Sequence, residues 1–378
     1  MWTVVPPAVC QAEAPGKQVV RRPCLLWAVR PLNGAGGPKE GVISLTRYII
    51  RRIIGLIPVL LGITILVFFL IRLIPGDPAL IMLGERARPD DVARVREQLG
   101  LNEPIHIQYF RYMGQLLRGD LGQSIINRTD VTFELAYRLP ATIEMVTGAL
   151  IFGSVVGITI GVISAVRRNS LFDIAGMIGA LLGVSMPIFW LALILIYALA
   201  VNNKILPPSG RIDVQLYVDR RTGFILIDTL LMGDIGAFFN ALWHMILPSF
   251  VLSTVIMPGL ARITRASMLE VLRQDYVRTA WAKGVEERVI VVRHALKNAL
   301  LPIITVLGGW LAGLLGGAIL TETVFSWPGM GTWAYRAIMA RDYPIVQGSV
   351  LISATIYVFV NLGVDILYAF VDPRIRYE

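Results

Sequence analysis

The sequence predicts an all-α polytopic membrane protein with six transmembrane helices. Three observations carry the prediction. The chain is 55% hydrophobic with a mean hydropathy of +0.66; apolar runs of membrane-spanning length recur along it; and basic residues cluster beside those runs. A soluble domain rarely carries so much apolar surface, and 378 residues suffice for several spans. The net charge of +9 would suit nucleic acid if it lay on one soluble face. Placed beside apolar runs, it follows the positive-inside rule instead. The expected partner is the lipid bilayer, and nucleic acid is excluded.

Residues 1–44 differ from the rest. Pro6, Pro7, Pro15, Pro23, Pro31 and Pro38, with the run Gly34 to Gly37, break any regular element, and no apolar core of signal-peptide length is present. This stretch reads as a disordered, dispensable N-terminal extension. Cys10 and Cys24 are the only cysteines, so no disulfide framework or thiolate metal site is available. His106, His244 and His294 lack ligand spacing, and no metal is expected.

Residues 45–74 form a lead-in and first span, about Ile53 to Ile74, since roughly 20 residues cross the hydrocarbon core. Arg47, Arg51 and Arg52 precede it and place the N-terminus in the cytoplasm. Residues 75–140 read as an external helical subdomain. Pro89 opens a helix, Asp90 and Asp91 complement its dipole and Gly100 ends it. Asn102 caps the next helix, which carries Ile107, Phe110 and Leu117 to a stop at Gly119. This region is too short to be an enzyme by itself.

Residues 141–378 hold five further spans: about Thr142 to Val166, Ile174 to Val201, Trp243 to Leu260, Leu300 to Leu320 and Ile345 to Phe370. Arg167, Arg168, a basic central loop over 262–300, and Arg374 and Arg376 then fall on the side of the N-terminus. The two shorter opposite loops hold fewer basic residues, among them Lys204, Arg211 and Arg336. Both termini are therefore expected in the cytoplasm.

Two glycine ladders run at four-residue spacing: Gly153, Gly157 and Gly161 in span two, and Gly309, Gly313 and Gly317 in span five. Small residues at this spacing let helix backbones approach closely where lipid gives no hydrophobic contrast. They mark helix packing, either within the chain or at a subunit interface or translocation path. Gly313 is read as a contact with a partner subunit. Few charges lie deep in the spans. Glu144 and Glu322 sit near span ends, and Asp365, one turn beyond Asn361, reads as an end-of-span residue. Intramembrane relays of a proton-driven transporter are not visible.

The segment Asp275 to Pro302 is basic yet patterned as helix. Tyr276, Thr279, Ala280 and Lys283 share one face, and Gly284 ends the helix because it enters the left-handed region without a Cβ penalty. A second amphipathic helix follows with Val289, Val292, Leu296 and Leu300 on one side, and Pro302 marks its junction with span five. Two short helices joined at a glycine form a docking element.

Thr279 to Gly284 (TAWAKG), with Leu301 and Pro302, resembles the EAA loop of ABC-importer permeases. Thr279 stands where that consensus has Glu, and Trp281 where the peptide-importer branch usually has Arg. The likeness extends over about residues 45–376. Pro75 to Pro78 (PGDP), Gly119 to Gly122 (GDLG), Ser185 to Trp190 (SMPIFW), Thr321 to Gly329 (TETVFSWPG), Arg341 to Pro344 (RDYP) and Asp372 to Arg376 (DPRIR) all match the peptide/nickel importer branch. Thr222 to Thr229 (TGFILIDT) is similar to its dipeptide-transporting members.

The resemblance implies a type I importer fold and an inner-membrane permease subunit for dipeptides or short peptides, forming half of a heterodimeric pore. It implies a second permease, two cytoplasmic ATPase subunits and a periplasmic peptide-binding protein. The helix bearing Asp275, Tyr276, Thr279, Ala280, Ala282, Lys283 and Gly284 would seat in the ATPase. No Gly-x-x-x-x-Gly-Lys-Ser/Thr loop occurs, so any ATP is hydrolysed on another polypeptide. No nucleophile–base pairing stands out and no cofactor is expected; the chain is not read as an enzyme. Oligopeptide, glutathione or nickel uptake remain alternatives within the branch. An ion-coupled secondary transporter is the alternative from another class.

Overall fold

The computed structural model describes residues 45–73, 77–84, 87–98, 100–316 and 318–371. The predicted extension over 1–44, Gly317 and the C-terminal basic tail lie outside the described residues. Those described form helices joined by loops, the longest over residues 203–224, with one isolated bridge between Gln123 and Asp130.

Helix α1 runs Leu45–Leu73. Three short helices follow: α2 (Pro78–Leu83), α3 (Pro89–Gln98) and α4 (Ile105–Leu117). Pro89, Asp90 and Asp91 open α3 as predicted, and Gly100 beyond it takes φ +67°. Asn102 does not cap α4. Its N-cap is Pro104, which fixes an extended entry and leaves no side-chain cap.

Span two begins earlier than Thr142. Helix α5 is continuous over Val131–Val166, and Asp130 caps it by accepting hydrogen bonds from the Thr132 and Phe133 amides. Pro140 lies inside it, so the expected subdomain boundary at 140 falls within a helix. Span three is broken rather than straight. Helices α6 (Leu171–Ser185) and α7 (Ile188–Leu195) meet at 99° across Met186 and Pro187, and α7 continues as π-helical turns Ile196–Asn202. Proline disfavours helical geometry in the residue before it, and Met186 is extended.

Helix α8 (Ile225–Leu231) leads into α9, which runs Ile235–Val271 without interruption and far outreaches the expected Trp243 to Leu260. The short α10 (Asp275–Ala282) precedes α11 (Glu287–Val289), π-helical turns Ile290–Leu296 and α12 (Lys297–Leu315). These last three form one continuous helix, so Pro302 is not a junction; neighbouring helices and local π adjustments re-satisfy backbone groups freed by an intramembrane proline. The chain ends through α13 (Ile319–Val324), α14 (Met330–Ala340) and α15 (Tyr343–Val371).

Five of these helices are long and apolar enough to cross a membrane, or six if α6 and α7 make one bent span. Helix α9 is the most buried of them and forms the centre of the bundle. Its Leu252, Ile256 and Leu260 pack with Ala141, Met145, Val146 and Ala149 of α5, Ile303 of α12 and Trp327. Asp365 of α15 pairs with Arg52 of α1 at 2.9 Å, which gives the end-of-span carboxylate a definite partner.

A candidate coupling helix and a polar junction at opposite ends of one span

Close packing of α5 on α9 is made by the first glycine ladder. A Cβ on Gly153 would lie 3.1 Å from Ile256 Cβ, on Gly157 2.9 Å from Leu260 Cβ, and on Gly161 2.7 Å from the Ala261 carbonyl oxygen. Backbone cannot yield as a flexible side chain can, so Gly157 and Gly161, which meet the Met257 and Ala261 carbonyl oxygens, are required by contact, while Gly153 abuts only the Ile256 side chain. The second ladder behaves differently. Gly309 and Gly313 of α12 are exposed and a Cβ on either would meet nothing within 4 Å, while Gly308 and Ala312, one position over, form the side buried within the chain. Gly308 meets Val364 of α15.

At the C-terminal end of α5, Ala165 packs with Met268 of α9 and with Val291 and Ala295. Helix α10 hangs beside this cluster. Val277 is fully buried and pins it; the Asn298 side-chain amide donates to the Tyr276 hydroxyl at 2.7 Å and ties it to α12. The Val285 amide donates to the Ala280 carbonyl and the Gly284 amide to the Trp281 carbonyl, with Gly284 at φ +72°. This is the paired closure of a Schellman cap, and it needs a residue at ease in the left-handed region. Asp275, Thr279, Ala282, Lys283 and Gly284 are exposed. Ala280 is half-buried on the side of Val277, so only part of it is available to another molecule. Trp281 is 48% exposed. Reading the helix by its small residues passed over this side chain; an exposed aromatic on a tethered helix is the stronger anchor signal.

At the other end of α5, the turn after Pro140 collects two loops. Glu144 is buried and accepts hydrogen bonds from the Arg211 guanidinium and from the Leu226 amide at 3.0 Å; Arg211 also donates to the Gly223 carbonyl at 3.0 Å. Gly223, at φ +81°, packs on the Pro140 ring. One turn away, Thr142 donates to Glu322 at 2.8 Å and accepts from the Met330 amide at 2.8 Å. Glu322 also accepts from the Thr332 amide at 2.7 Å, and Trp327 donates its indole proton to the Ala141 carbonyl at 2.7 Å. Glu322 lies beyond the membrane-length helices; burial pushes its carboxyl above the usual range, and the hydrogen bonds from Thr332 and Thr142 oppose that shift. It lines a cavity of about 410 Å³ with Arg138, Trp327, Trp333 and Arg336. Glu144 and Glu322 are thus anchors for the loops rather than incidental span-end charges. The rise from Glu144 to Ala165 is about 30 Å at 1.5 Å per residue, the thickness of a hydrocarbon core.

Among the described residues no cluster of His, Cys, Asp and Glu is arranged to hold a metal ion. A bundle of membrane-length helices with a tethered amphipathic helix at one end and anchored loops at the other is a multi-pass membrane protein. Comparison with known proteins narrows this class. Residues 45–146 match the family model of the N-terminal membrane component of binding-protein-dependent transport systems, and residues 157–377 match that of the binding-protein-dependent transport system inner membrane component. The chain belongs to that family.

It is similar to the di/tripeptide transport system permease of Pseudomonas aeruginosa strain UCBPP-PA14 (49% identity, 88% of this chain and 99% of that protein). The dipeptide transport system permease of Escherichia coli K12 is 47% identical over 88% of this chain and 99% of its own length. The glutathione transport system permease of Salmonella paratyphi A is 38% identical over the same shares. The inward-facing MetNI methionine ABC transporter aligns with a TM-score of 0.44 at 17% identity, covering 64% of this chain and 97% of that one. The protein is therefore a multi-pass inner-membrane permease of an ABC importer. It is a transport subunit, not an enzyme, and works with ATPase and substrate-binding partners.

Proposed function

We propose that this chain imports dipeptides and short peptides as half of a pore completed by a second, non-identical permease, with two ATPase subunits and a periplasmic binding protein. The observation supporting the substrate class is its 47–49% identity, along nearly their whole length, to permeases named for dipeptides or di/tripeptides. Both termini lie in the cytoplasm in this reading, so α10 faces the ATPases. ATP binding closes the ATPase pair and carries α10 with it. Tyr276, bonded to Asn298, and the packing of α10 on the turns Ile290–Leu296 pass that motion to α12, and the translocation path opens outward; hydrolysis resets it inward.

The permease performs no bond chemistry in this cycle. It transmits displacement and lines the path. Glutathione is the second reading, favoured by the 38% identical relative. The test is ATPase activity of the assembled complex in lipid with its binding protein. Dipeptides should stimulate hydrolysis and uptake, and glutathione and nickel should not; stimulation by glutathione or nickel alone would overturn the dipeptide assignment.

A further inference from the structure

Helix α4 carries an apolar stripe that the other described residues do not cover. Its inner side is engaged: Tyr109 meets Thr64 at 3.0 Å and stacks edge-on to Phe68 of α1, Tyr112 lies 5.7 Å from the same ring, and Gln108 accepts from Arg72. On the opposite side Ile107, Phe110, Gly114 and Leu117 recur at helical spacing, with Phe110 69% and Leu117 81% exposed. Arg111 and Arg118, each four residues beyond a member of the stripe, border it along one edge and are exposed. Arg111 pairs with Glu103 at 2.6 Å, whereas no carboxylate among the described residues pairs with Arg118.

The stripe is tied to the exposed face of the membrane-length helix α1. Through the packed interior, rings connect the two exposed faces: Phe69 to buried Phe68 at 5.5 Å, Phe68 to Tyr109 at 5.2 Å, and Tyr109 to Phe110 at 6.0 Å. Phe69, Leu70 and Leu73 at that end of α1 are exposed on a membrane-length helix only 17% buried. A short helix with an apolar stripe, a cationic edge and aromatic rings at the end of a span has the build of an interfacial helix.

We propose that α4 lies in the plane of the membrane interface, with Ile107, Phe110 and Leu117 in the acyl boundary and Arg118 at the level of the lipid phosphates. The loop domain after α1 is then a lipid-seated collar rather than a free external subdomain. This inference needs only that α1 spans the bilayer, and is independent of the transported substrate.

The test uses the chain purified with its transport partners in nanodiscs of phosphatidylethanolamine and phosphatidylglycerol, with Cys10→Ser and Cys24→Ser removing the native thiols. Single cysteines at Phe110, Leu117 and Arg118 carry a nitroxide, and power saturation compares collisions with oxygen, which partitions into lipid, and with a water-soluble nickel chelate. Leu66 of α1 is the lipid reference and Val214, fully exposed in a loop, is the water reference. Oxygen should dominate severalfold at Phe110 and Leu117, as at Leu66, while the chelate reaches Arg118. Values at Phe110 and Leu117 equal to those at Val214 would overturn the proposal. So would loss of access to both reagents on adding the binding protein, because the occupant would then be protein. If Phe110→Cys fails to assemble, Leu117→Cys, which makes no ring contact, decides alone.

Discussion

The two glycine ladders carry the same four-residue pattern and do opposite things. In α5, Gly157 and Gly161 are pressed against α9 at distances a Cβ essentially never adopts, and Gly153 is packed tightly on the Ile256 side chain. In α12, Gly309 and Gly313 face open space while their neighbours Gly308 and Ala312 make the internal contact. A small-residue ladder therefore says that close approach is possible; only the surrounding fold says which molecule approaches. The open ladder belongs to a chain that works in an assembly, and the closed one to the body that assembly is built from.

Substitution at the closed ladder should be the most damaging. Gly161→Leu places a side chain against the Ala261 carbonyl and Thr264, neither able to retreat without moving α9. Overpacking costs about 1–3 kcal/mol where side chains can adjust, and more where backbone must move. We expect loss of the folded chain from the membrane, read as abundance and as a monodisperse peak on size exclusion. Normal recovery would show that the two helices part easily.

At the open ladder, Gly313→Leu should leave insertion and abundance unchanged and weaken copurification of the second permease. Normal assembly and uptake would place Gly309 and Gly313 against lipid and remove the distinction drawn between the ladders. The narrowest effect should come from a glycine required for its dihedral rather than its contacts. A Cβ added at Gly284 would meet nothing within 4 Å, yet the residue holds φ +72°. Gly284→Val should cost about 1–2 kcal/mol locally and redirect α10, cutting ligand-stimulated ATP hydrolysis while the spans remain intact. Hydrolysis at the wild-type rate with equal ATPase copurification would dissociate α10 from coupling.

How much of this was legible in the sequence depended on the range of the interaction. The spans, the stop at Gly284 and the acidic opening of α3 rest on neighbours within one or two turns, and each is written locally. The bend at Pro187 was also written locally, since a proline constrains the residue before it. Helix limits were not, because α5 and α9 run on past the apolar segments that announce them; hydrogen bonding does not stop where hydrophobicity does. The junction around Pro140 was least legible. Glu144 meets Arg211 across 67 residues and Thr142 meets Glu322 across 180, and a single sequence holds no trace of pairings at that distance. At α10 the pattern found the helix, but burial of Val277 and exposure of Trp281 had to be seen.

Helix α9 spans 37 residues, about 55 Å at 1.5 Å per residue. One end starts at Asp234 beside the anchored loops, and the other delivers the chain directly into α10. Such a rod is a lever arm. A tilt of about 10° about one end would sweep the other through about 10 Å, so in the cycle proposed above a small angular input at α10 would suffice to open or close a passage for a short peptide. Pro248 and Pro258 lie inside this rod, and an intrahelical proline is the usual place for a helix to bend, so in that cycle they would set how much of the stroke arrives.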